Sequence, residues 1–342
     1  MRMCWFALPL SSSGWSRVAR STVAITMGDP AGVGPEIILG ALGAESHRVV
    51  VIGDLRRLKL ATEILPRAPR LRSISAPSEA HFEPGLVNVI DLANVPAELP
   101  WGLLSEVAGV AGYAYLERAT RLALAGEVSA ICTAPINKGA WREAGIDHAG
   151  HTEALAALCG TETYAMMLVN RRLRVVHQST HSSLADAVGK ATHDRCLDCI
   201  RLAAGFLRKR AGISSPRIAV AGINPHAGEN GLLGSEEVER FAPAIAAARE
   251  EGIDATGPWS PDTIFLRGSE GEFDVVVAAY HDQGHIPIKM LGLDTGVNVT
   301  IGLPIIRTSV DHGTAFDIAG TGRARPANLL AALRLAEDLV GD

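Results

Sequence analysis

Hydrophobic residues in this chain form short continuous runs that alternate with stretches of helical periodicity. The runs rich in Val, Ile and Ala predict strands at residues 22–28, 48–54, 86–92, 217–223 and 273–280, with a strand pair at 164–170 and 173–180. The periodic stretches predict helices at about 110–126, 193–210, 236–250 and 326–341. Apolar strands separated by helices are typical of a largely parallel sheet covered on both faces, so the pattern predicts an α/β fold. Such sheets bind ligands beyond the carboxyl ends of their strands.

Length and charge set the broad class of the protein. A chain of 342 residues is long enough for one large or two medium-sized α/β domains. The formal net charge of −5 gives no reason to expect nucleic acid as a partner. No apolar run approaches the roughly 18 residues of a membrane span, so no membrane partner is expected. Residues 1–20 lack the cleavage site of a signal peptide, and we expect them to be a disordered or spurious extension.

The five cysteines are scattered along the chain and odd in number. This argues against a disulfide framework and for a reducing compartment, so the predicted location is the cytoplasm. Cys196 and Cys199 form a CxxC pair, but they lie in an amphipathic helical pattern without a second pair. We therefore expect a structural role for them.

Three histidines occupy equivalent places at the ends of predicted strands. His181 follows LRVVHQST, His226 follows RIAVAGINP, and His281 follows FDVVVAAY. Parallel strands end at one edge of a sheet, so these side chains are expected to converge there. Imidazole is the commonest ligand of divalent transition metals, and three protein ligands leave positions for substrate or water. The pattern therefore indicates a metal site.

The segment HDQGH places a further histidine near this set. His285 is four residues after His281, the spacing of a metal-binding pair on a helix. Gly284 and Pro287 argue against a helix here, so we expect His285 to be peripheral.

Carboxylates lie beside the histidines. Asp282 follows His281 directly, and Asp262 lies in the turn-rich segment GPWSPDTIF. Either could orient an imidazole or contact a substrate. A turn-capping role is the alternative for Asp262.

Cationic and amide side chains indicate an anionic ligand. Lys289, Asn298 and Arg307 lie in apolar surroundings, where a cation needs an anionic partner. A bound carboxylate or phosphate would supply one, and arginine binds such groups bidentately. A structural ion pair is the alternative. His151 and Thr152, in GHTEAL, begin a predicted helix whose N-terminus is suited to an anion.

Two glycine-rich segments are candidates for contact with a cofactor. GDPAGVGPE (28–36) is a strand-to-helix turn that lacks the GxGxxG fingerprint, and the chain has no Walker A sequence. DHGTAFDIAGTG (311–322) contains small residues that allow the backbone to approach a ligand closely.

The second loop resembles the nucleotide loop of isocitrate and isopropylmalate dehydrogenases, and longer motifs give a closer match. TMGDPAGVGPEI, TAPINKGAWREAGIDHAGHTE, INPHAGENGLLGSEE, GPWSPDTIF, YHDQGHIPIKML and GVNVTIGLPIIRTSVDHGTA resemble the 4-hydroxythreonine-4-phosphate dehydrogenase family of vitamin B6 biosynthesis. The likeness runs from about Val23 to the C-terminus, and residues 1–20 lie outside it.

This resemblance implies a two-domain α/β fold like that of isocitrate and isopropylmalate dehydrogenases. It also implies a homodimer whose active site lies in the interdomain cleft and is shared between subunits. Residues 21–145 with 303–342 would form the nucleotide-binding domain. Residues 146–302 would form the metal, substrate and dimerisation domain.

The resemblance also implies roles for single residues. The three strand-end histidines would bind a divalent metal: zinc, magnesium, manganese, cobalt or nickel. The implied substrate contacts are His151, Thr152, Lys289, Asn298 and Arg307. The implied contacts to NAD or NADP are His312, Gly313, Thr314, Ala315, Asp317, Ile318 and Ala319. Lys289 would donate or accept a proton unless it only binds an anion. Asp262 and Asp282 are candidates for catalysis because of their positions beside the histidines, not because of the resemblance.

The implied reaction is oxidation of 4-phosphooxy-L-threonine by NAD with decarboxylation, giving 3-amino-2-oxopropyl phosphate. An alternative is oxidation of D-threonate or D-erythronate 4-phosphate to dihydroxyacetone phosphate. A third branch of the family oxidises aromatic cis-dihydrodiols, but Arg307 argues for a phosphorylated substrate.

Two alternatives come from other classes of protein. A metal-dependent hydrolase would use three histidines but would not need the DHGTAFDIAG loop. A non-catalytic binding protein would be expected to have lost part of the metal or cationic set, and all of these residue types are present.

Overall fold

The computed structural model describes residues 21–43 and 47–341, so the predicted extension over 1–20 lies outside the described residues. The described chain divides into two compact units. We call residues 21–162 with 303–341 the first unit and Thr163–Gly302 the second unit. No helix in the described ranges is long and apolar enough to cross a membrane.

Twelve strands and eleven α-helices make up the described elements. The strands are β1 Val23–Thr26, β2 Val49–Gly53, β3 Arg70–Ile74, β4 Leu86–Asp91, β5 Ala130–Thr133, β6 Ala165–Val169, β7 Arg174–His177, β8 Ile218–Ala221, β9 Ala255–Trp259, β10 Val275–Ala278, β11 Val297–Ile301 and β12 Ile306–Ser309. The helices are α1 Gly34–Leu42, α2 Leu55–Ile64, α3 Glu106–Leu124, α4 Lys138–Glu143, α5 His151–Cys159, α6 Leu184–Lys190, α7 His193–Arg210, α8 Ala242–Glu250, α9 Ile264–Ser269, α10 His281–Met290 and α11 Ala327–Val340.

Six parallel strands form the sheet of the first unit, in the order β3-β4-β2-β1-β5-β12. The central strands β1, β2 and β5 are buried along their whole length, as expected for a parallel sheet covered on both faces. The chain returns from the second unit to add β12 beside β5, which places Arg307 opposite Ile131. The carboxyl ends of β5 and β12 therefore lie side by side.

The second unit has the strand order β11-β6-β7-β10-β8-β9. Strands β7, β10, β8 and β9 are parallel, whereas β11 and β7 each run antiparallel to β6. The predicted pairing of 164–170 with 173–180 is therefore confirmed. Ile264 of α9 and Ile288 of α10 join the apolar core that covers this sheet. The predicted α/β class, with a mostly parallel sheet and flanking helices, is confirmed.

Residues 146–162 lie with the first unit, whereas they were predicted to belong to the metal and substrate domain. The reason is that α5 packs against α3. The functional roles assigned to the two domains stay predictions.

The prediction that HDQGH is not helical was wrong. Residues His281–Met290 form α10 despite the proline inside it. Gln283 holds the start of the helix, because its Oε1 accepts from the N–H of Ala279 at 2.7 Å and its Nε2 donates to the carbonyl of Gly222 at 2.7 Å. Gly284 fits because the helix passes tightly over β7: a methyl group there would overlap Nε2 of the fully buried His177. Tertiary packing has overridden local propensity.

Gly284→Ala is therefore expected to destabilise the protein by about 1–3 kcal/mol, as overpacking of a core does. The added methyl group would also lie 2.6 Å from Cγ1 of Val175. Gly205→Ala is the matched control, because Gly205 is exposed in α7 with nothing within 4 Å of the new methyl group. Urea unfolding should show a stability loss for the first variant and a gain of about 0.5–1 kcal/mol for the second. Equal stability of the two variants would contradict the packing argument.

Candidate active site

Two of the three predicted metal ligands lie together in the second unit. His181 follows β7 on an exposed turn, and His281 is the first residue of α10, directly after β10. Strands β7 and β10 are parallel neighbours, so their ends lie at the same edge of the sheet. The two imidazole centres are 6.1 Å apart. The strand-end pattern thus brings this pair of side chains together.

Asp282 is placed to orient the imidazole of His281. Its Oδ1 lies 2.6 Å from Nδ1 of His281. The hydrogen bond lowers the pKa of Asp282, which keeps the carboxylate charged. With the proton on Nδ1, the lone pair is on Nε2, the arrangement common among histidines that bind a metal.

His226 lies on an exposed turn, Pro225–Gly231, that follows β8. Among the residues that the structure describes, no three His, Cys, Asp or Glu side chains form a group that could hold a metal ion. Within one chain, His226 therefore does not complete a three-ligand metal site with His181 and His281.

Two buried histidines extend from His181 and His281 into the interior of the second unit. The ring of His285 stacks on His281 at 3.5 Å between centres, and His177 lies 4.7 Å from His285. His285 is 5% exposed, and its placement outside the set of metal ligands stays a prediction. Burial and the neighbouring His281 lower the pKa of His285 to about 4, and burial holds the pKa of His177 well below its usual range. Both rings are neutral at pH 7. In the sequence, His285 stands out because it follows His281 by four residues, whereas His177 has no feature that distinguishes it from other strand residues.

The first unit gathers groups suited to an anion. His151 and Thr152 begin α5, whose preceding residue Gly150 supplies no side-chain cap. The first amides of a helix attract negative charge. Arg307 of β12 is 2% exposed, and its Nη2 donates to Oγ1 of Thr133 at 2.8 Å. Burial lowers the pKa of Arg307 to about 10, against the opposing effects of Cys132 and of Glu153 in α5. Arg307 therefore stays charged at pH 7.

His151 is neutral in these surroundings. Burial first, and then the charges of Arg307 and Lys138, hold its pKa well below the usual range. Its Nε2 is buried and has no hydrogen-bond partner among the described residues. The ring packs edge-on against Trp141, with 5.8 Å between centres. An unpaired ring nitrogen beside cationic groups is available to a ligand.

Lys138, the first residue of α4, was not among the predicted site residues. Its side chain lies beside the start of α5, since a methyl group on Gly150 would be 3.7 Å from Nζ. The side chain is exposed. In the sequence, the only feature that marks Lys138 as a site residue is its position shortly after β5, in TAPINK.

The remaining predicted substrate residues lie in the second unit. His281, His285 and Lys289 are spaced i, i+4 and i+8 along α10, so they share one face of the helix. Asn298 lies on β11, opposite Leu168 of β6. Asp262 is exposed, and its Oδ1 accepts a hydrogen bond from the hydroxyl of Ser260 at 2.6 Å. This contact is the kind expected if Asp262 caps the turn.

The predicted nucleotide loop is fixed against the first glycine-rich turn of the first unit. The carbonyl of Thr314 accepts from the N–H of Val33 at 3.0 Å. Glu36, 1% exposed, accepts from the N–H of Gly320 at 2.6 Å and of Gly322 at 2.8 Å. Within the loop, His312, Gly313 and Asp317 are exposed, Thr314, Ala315 and Ile318 are half-buried, and Ala319 is buried. GDPAGVGPE therefore supports the loop.

A buried acid near this turn also escaped the sequence analysis. Asp29 is 2% exposed, and burial raises its pKa to about 6. Its Oδ1 accepts from Ala31 N at 2.7 Å, while Oδ2 has no partner in the described part of the chain. The nearby Arg57 donates to the carbonyls of Pro30 and Leu99 and stacks over the ring of Trp101. The buried charged side chains of Asp29 and Arg57 therefore help to fix this turn.

Comparison with known proteins relates the whole described fold to one group of enzymes. A D-threonate 4-phosphate dehydrogenase of Cupriavidus necator is 51% identical over 322 residues, 93% of this chain and 96% of the relative. A 4-hydroxythreonine-4-phosphate dehydrogenase of Desulfosudis oleivorans is 48% identical over 324 residues, 93% and 96% of the two chains. The crystal structure of the 4-hydroxythreonine-4-phosphate dehydrogenase of Klebsiella pneumoniae superposes with a TM-score of 0.89 at 48% identity, covering 96% of this chain and 100% of that one.

The fold and these similarities define the chain as an α/β oxidoreductase, specifically a dehydrogenase. Membership of this class implies a nicotinamide cofactor. Residues 45–336 match the family of the pyridoxal phosphate biosynthetic protein PdxA. The chain belongs to this family. The predicted membership and the predicted dehydrogenase class are confirmed, in preference to a hydrolase or a non-catalytic binding protein.

Proposed function

We propose that this protein is an NAD-dependent, divalent-metal-dependent dehydrogenase that oxidises the C3 hydroxyl of a phosphorylated four-carbon acid. The observation that carries the proposal is the pairing of His181 and His281 beside the carboxylate of Asp282. Imidazoles oriented by a carboxylate are typical of a metal site.

The histidine pair fits a bound ion. Metal–nitrogen bonds are about 2.0–2.1 Å long, so two imidazoles on one ion have ring centres between roughly 4.5 Å apart at a right angle and roughly 6.4 Å apart in line. The observed 6.1 Å lies in that range. When bound, a divalent ion such as zinc, manganese, cobalt, nickel or magnesium would polarise the C3 oxygen. His181 and His281 would hold it, and Asp282 would fix the orientation of His281.

The anion-binding groups of the first unit are suited to the phosphate of the substrate. Arg307 is buried and charged, so a phosphate would compensate its desolvation and accept a bidentate hydrogen bond. The amides at the start of α5, Thr152 and the neutral His151 add donors. Asn298 and Lys289 are assigned to the remaining polar groups of the substrate.

The reaction has three balanced steps. The C3 hydrogen leaves as hydride to the nicotinamide while the hydroxyl proton passes to a base, for which Lys289 is the candidate. The product is a 3-oxo acid, which loses its carboxylate as carbon dioxide. The electron pair of that bond remains at C2 and takes up a proton. Residues 312–319 are assigned to the nucleotide, and Glu36 keeps this loop in place.

A homodimer would complete the metal site. One chain brings together two of the ligands, and in the described residues no group of three forms. We infer that His226 is supplied by a second copy of the chain, so that each active site is shared between subunits. The protein is assigned to the cytoplasm, where the unpaired Cys132, Cys159, Cys196 and Cys199 would stay reduced.

Two substrates remain candidates because relatives of nearly equal similarity have different names. Relatives named D-threonate 4-phosphate dehydrogenase are 51–52% identical in Cupriavidus necator and Salmonella typhimurium. The 4-hydroxythreonine-4-phosphate dehydrogenase of Desulfosudis oleivorans is 48% identical. We therefore propose D-threonate 4-phosphate first, with dihydroxyacetone phosphate as product. The second candidate is 4-phosphooxy-L-threonine, supported by the name of the matching family.

The choice is tested by comparing kcat/KM for D-threonate 4-phosphate, D-erythronate 4-phosphate and 4-phosphooxy-L-threonine, following NADH absorbance. We expect the highest value for D-threonate 4-phosphate. A higher value for 4-phosphooxy-L-threonine would establish the second candidate, and no reduction of NAD with any of them would overturn the proposed substrate class.

Lys138→Met is expected to raise KM for the phosphorylated substrate roughly tenfold, with little change in kcat, because its charge acts on the bound anion and not on C3. Steady-state kinetics checks this. Lys59→Met is the control, since Lys59 is also an exposed helical lysine but lies on α2. An unchanged KM in the first variant would remove Lys138 from the anion site.

A further inference from the structure

The turn that carries His226 has a rare backbone conformation. His226, Ala227, Gly228, Glu229 and Asn230 all have positive φ, between 45° and 77°, with ψ between −4° and 53°. Four of these five residues carry a Cβ, which is unfavourable in the left-handed region. Such a run persists only where its surroundings hold it.

One buried carboxylate lies at the base of this turn. Glu237 follows the turn in sequence and is 1% exposed. Its Oε1 accepts from the N–H of Ile223 at 2.8 Å and of Asn224 at 2.7 Å, and its Oε2 accepts from Nδ2 of Asn224 at 2.9 Å. The side chain therefore accepts hydrogen bonds from the two residues that directly precede the turn.

The same carboxylate also packs under the turn itself. A methyl group on Gly228 would lie 2.7 Å from Oε2 of Glu237, and one on Gly222 would lie 3.0 Å from Oε1. The carbonyl of Gly228 accepts from the N–H of Leu233 at 3.0 Å, which closes the turn. Glycine is required at 228 because the carboxylate occupies the space of a side chain.

We infer that Glu237 is a positioning residue that fixes the left-handed turn and thereby presents His226 for metal binding. The inference rests on the proposed metal role of His226. Glu237 itself is buried, while His226 is exposed. A strained turn without this support would relax to other conformations, and only part of the population would present the imidazole.

A carboxylate is needed because both of its oxygens accept hydrogen bonds from N–H donors. Glutamine has nearly the same shape, but its NH₂ group would face either the two backbone amides or Nδ2 of Asn224. In the first orientation the backbone amides would lose their acceptor, and in the second Nδ2 of Asn224 would keep only Oε2 of Glu236 as its acceptor. Glu237→Gln therefore tests the hydrogen bonding while keeping the volume.

The experiment measures zinc affinity of the full-length protein by chelator competition, together with amide hydrogen exchange of the metal-free form. For Glu237→Gln we expect zinc Kd to rise about 10- to 100-fold, the usual effect of losing a group that orients a ligand. Exchange should accelerate in residues 225–231 but not in β8 or α8. Glu239→Gln is the matched control, because Glu239 is exposed two residues further along. It should match the wild type in both measurements.

Each contrary outcome has its own meaning. Wild-type zinc affinity in Glu237→Gln would overturn the inference. Faster exchange throughout β8 and α8 would also overturn it, because Glu237 would then stabilise the whole unit and not the turn in particular. Wild-type affinity in His226→Ala would instead refute the proposed metal role of His226. If the glutamine variant does not fold, Asn224→Ala removes the hydrogen bonds from Nδ2 to Oε2 of Glu237 and to Oε2 of Glu236, but it leaves both backbone amides bonded to Glu237. We then expect a smaller rise in Kd, and an unchanged Kd would overturn the inference.

Discussion

His226→Ala and His281→Ala are each expected to abolish turnover and bound metal while the fold is retained. Each histidine is at least partly exposed, so its truncation leaves no cavity in a core. If the two ligands of one site come from different subunits, a mixed dimer of the two variants contains one complete site. Co-expression in equal amounts gives about half mixed dimers, so the preparation should regain about a quarter of wild-type activity.

The complementation has a matched control and clear contrary results. His193→Ala alters an exposed histidine that pairs with Asp194, and it should retain full activity. An inactive preparation in which mixed dimers are verified by mass spectrometry would show that the ligands come from one chain. Full activity of the wild type in excess chelator would remove the metal from the mechanism.

Arg307→Met is expected to raise KM for the phosphorylated substrate roughly 10- to 100-fold, since hydrogen bonds to charged groups contribute about 1.5–3 kcal/mol. Methionine keeps an apolar chain of similar length in a place that is 2% exposed, so the fold should persist. The loss of a buried cation also removes its desolvation cost, which favours stability of the variant. Steady-state kinetics and thermal unfolding measure both effects.

The assignment of Arg307 to phosphate is checked with the unphosphorylated acid. The wild type and Arg307→Met should have nearly equal kcat/KM with that substrate, because the missing interaction has no partner there. Arg307→Lys should lie between them, since lysine retains the charge but not the bidentate geometry. Arg201→Met, which removes an exposed arginine paired with Glu251, should behave as the wild type. An equal loss with both substrates would show that Arg307 is structural.

The features read correctly from the sequence are those with local signals. Continuous apolar runs predicted the parallel strands, and residues directly after two of these runs, His181 and His281, lie together because parallel strands end at one edge. Asp282 was recognised because it is adjacent to a histidine, and the hydrogen bond is present.

The features that were missed depend on tertiary packing. Gly284 and Pro287 argued against a helix, but α10 forms because close packing on β7 requires a residue without a side chain at position 284. Glu36 looks like a favourable acid in the first turn of a helix, yet it holds a loop 284 positions away. Glu237 looks like one of several surface acids, and Asp29 like a turn residue; both are buried. No local pattern distinguishes such carboxylates.

The tie between Glu36 and Gly320 has a consequence for the order of events during synthesis on the ribosome. The second unit is a continuous segment, so all of its strands have emerged when residue 302 leaves the exit tunnel. The first unit must wait for β12 and α11, which are made last, although its first strand is made early. The nascent N-terminal segment therefore remains incomplete through most of translation, and the edge of β5 that pairs with β12 has no partner strand until the C-terminus is released. Loss of the last forty residues would remove the partners of Glu36 and leave this half of the protein without its final strand.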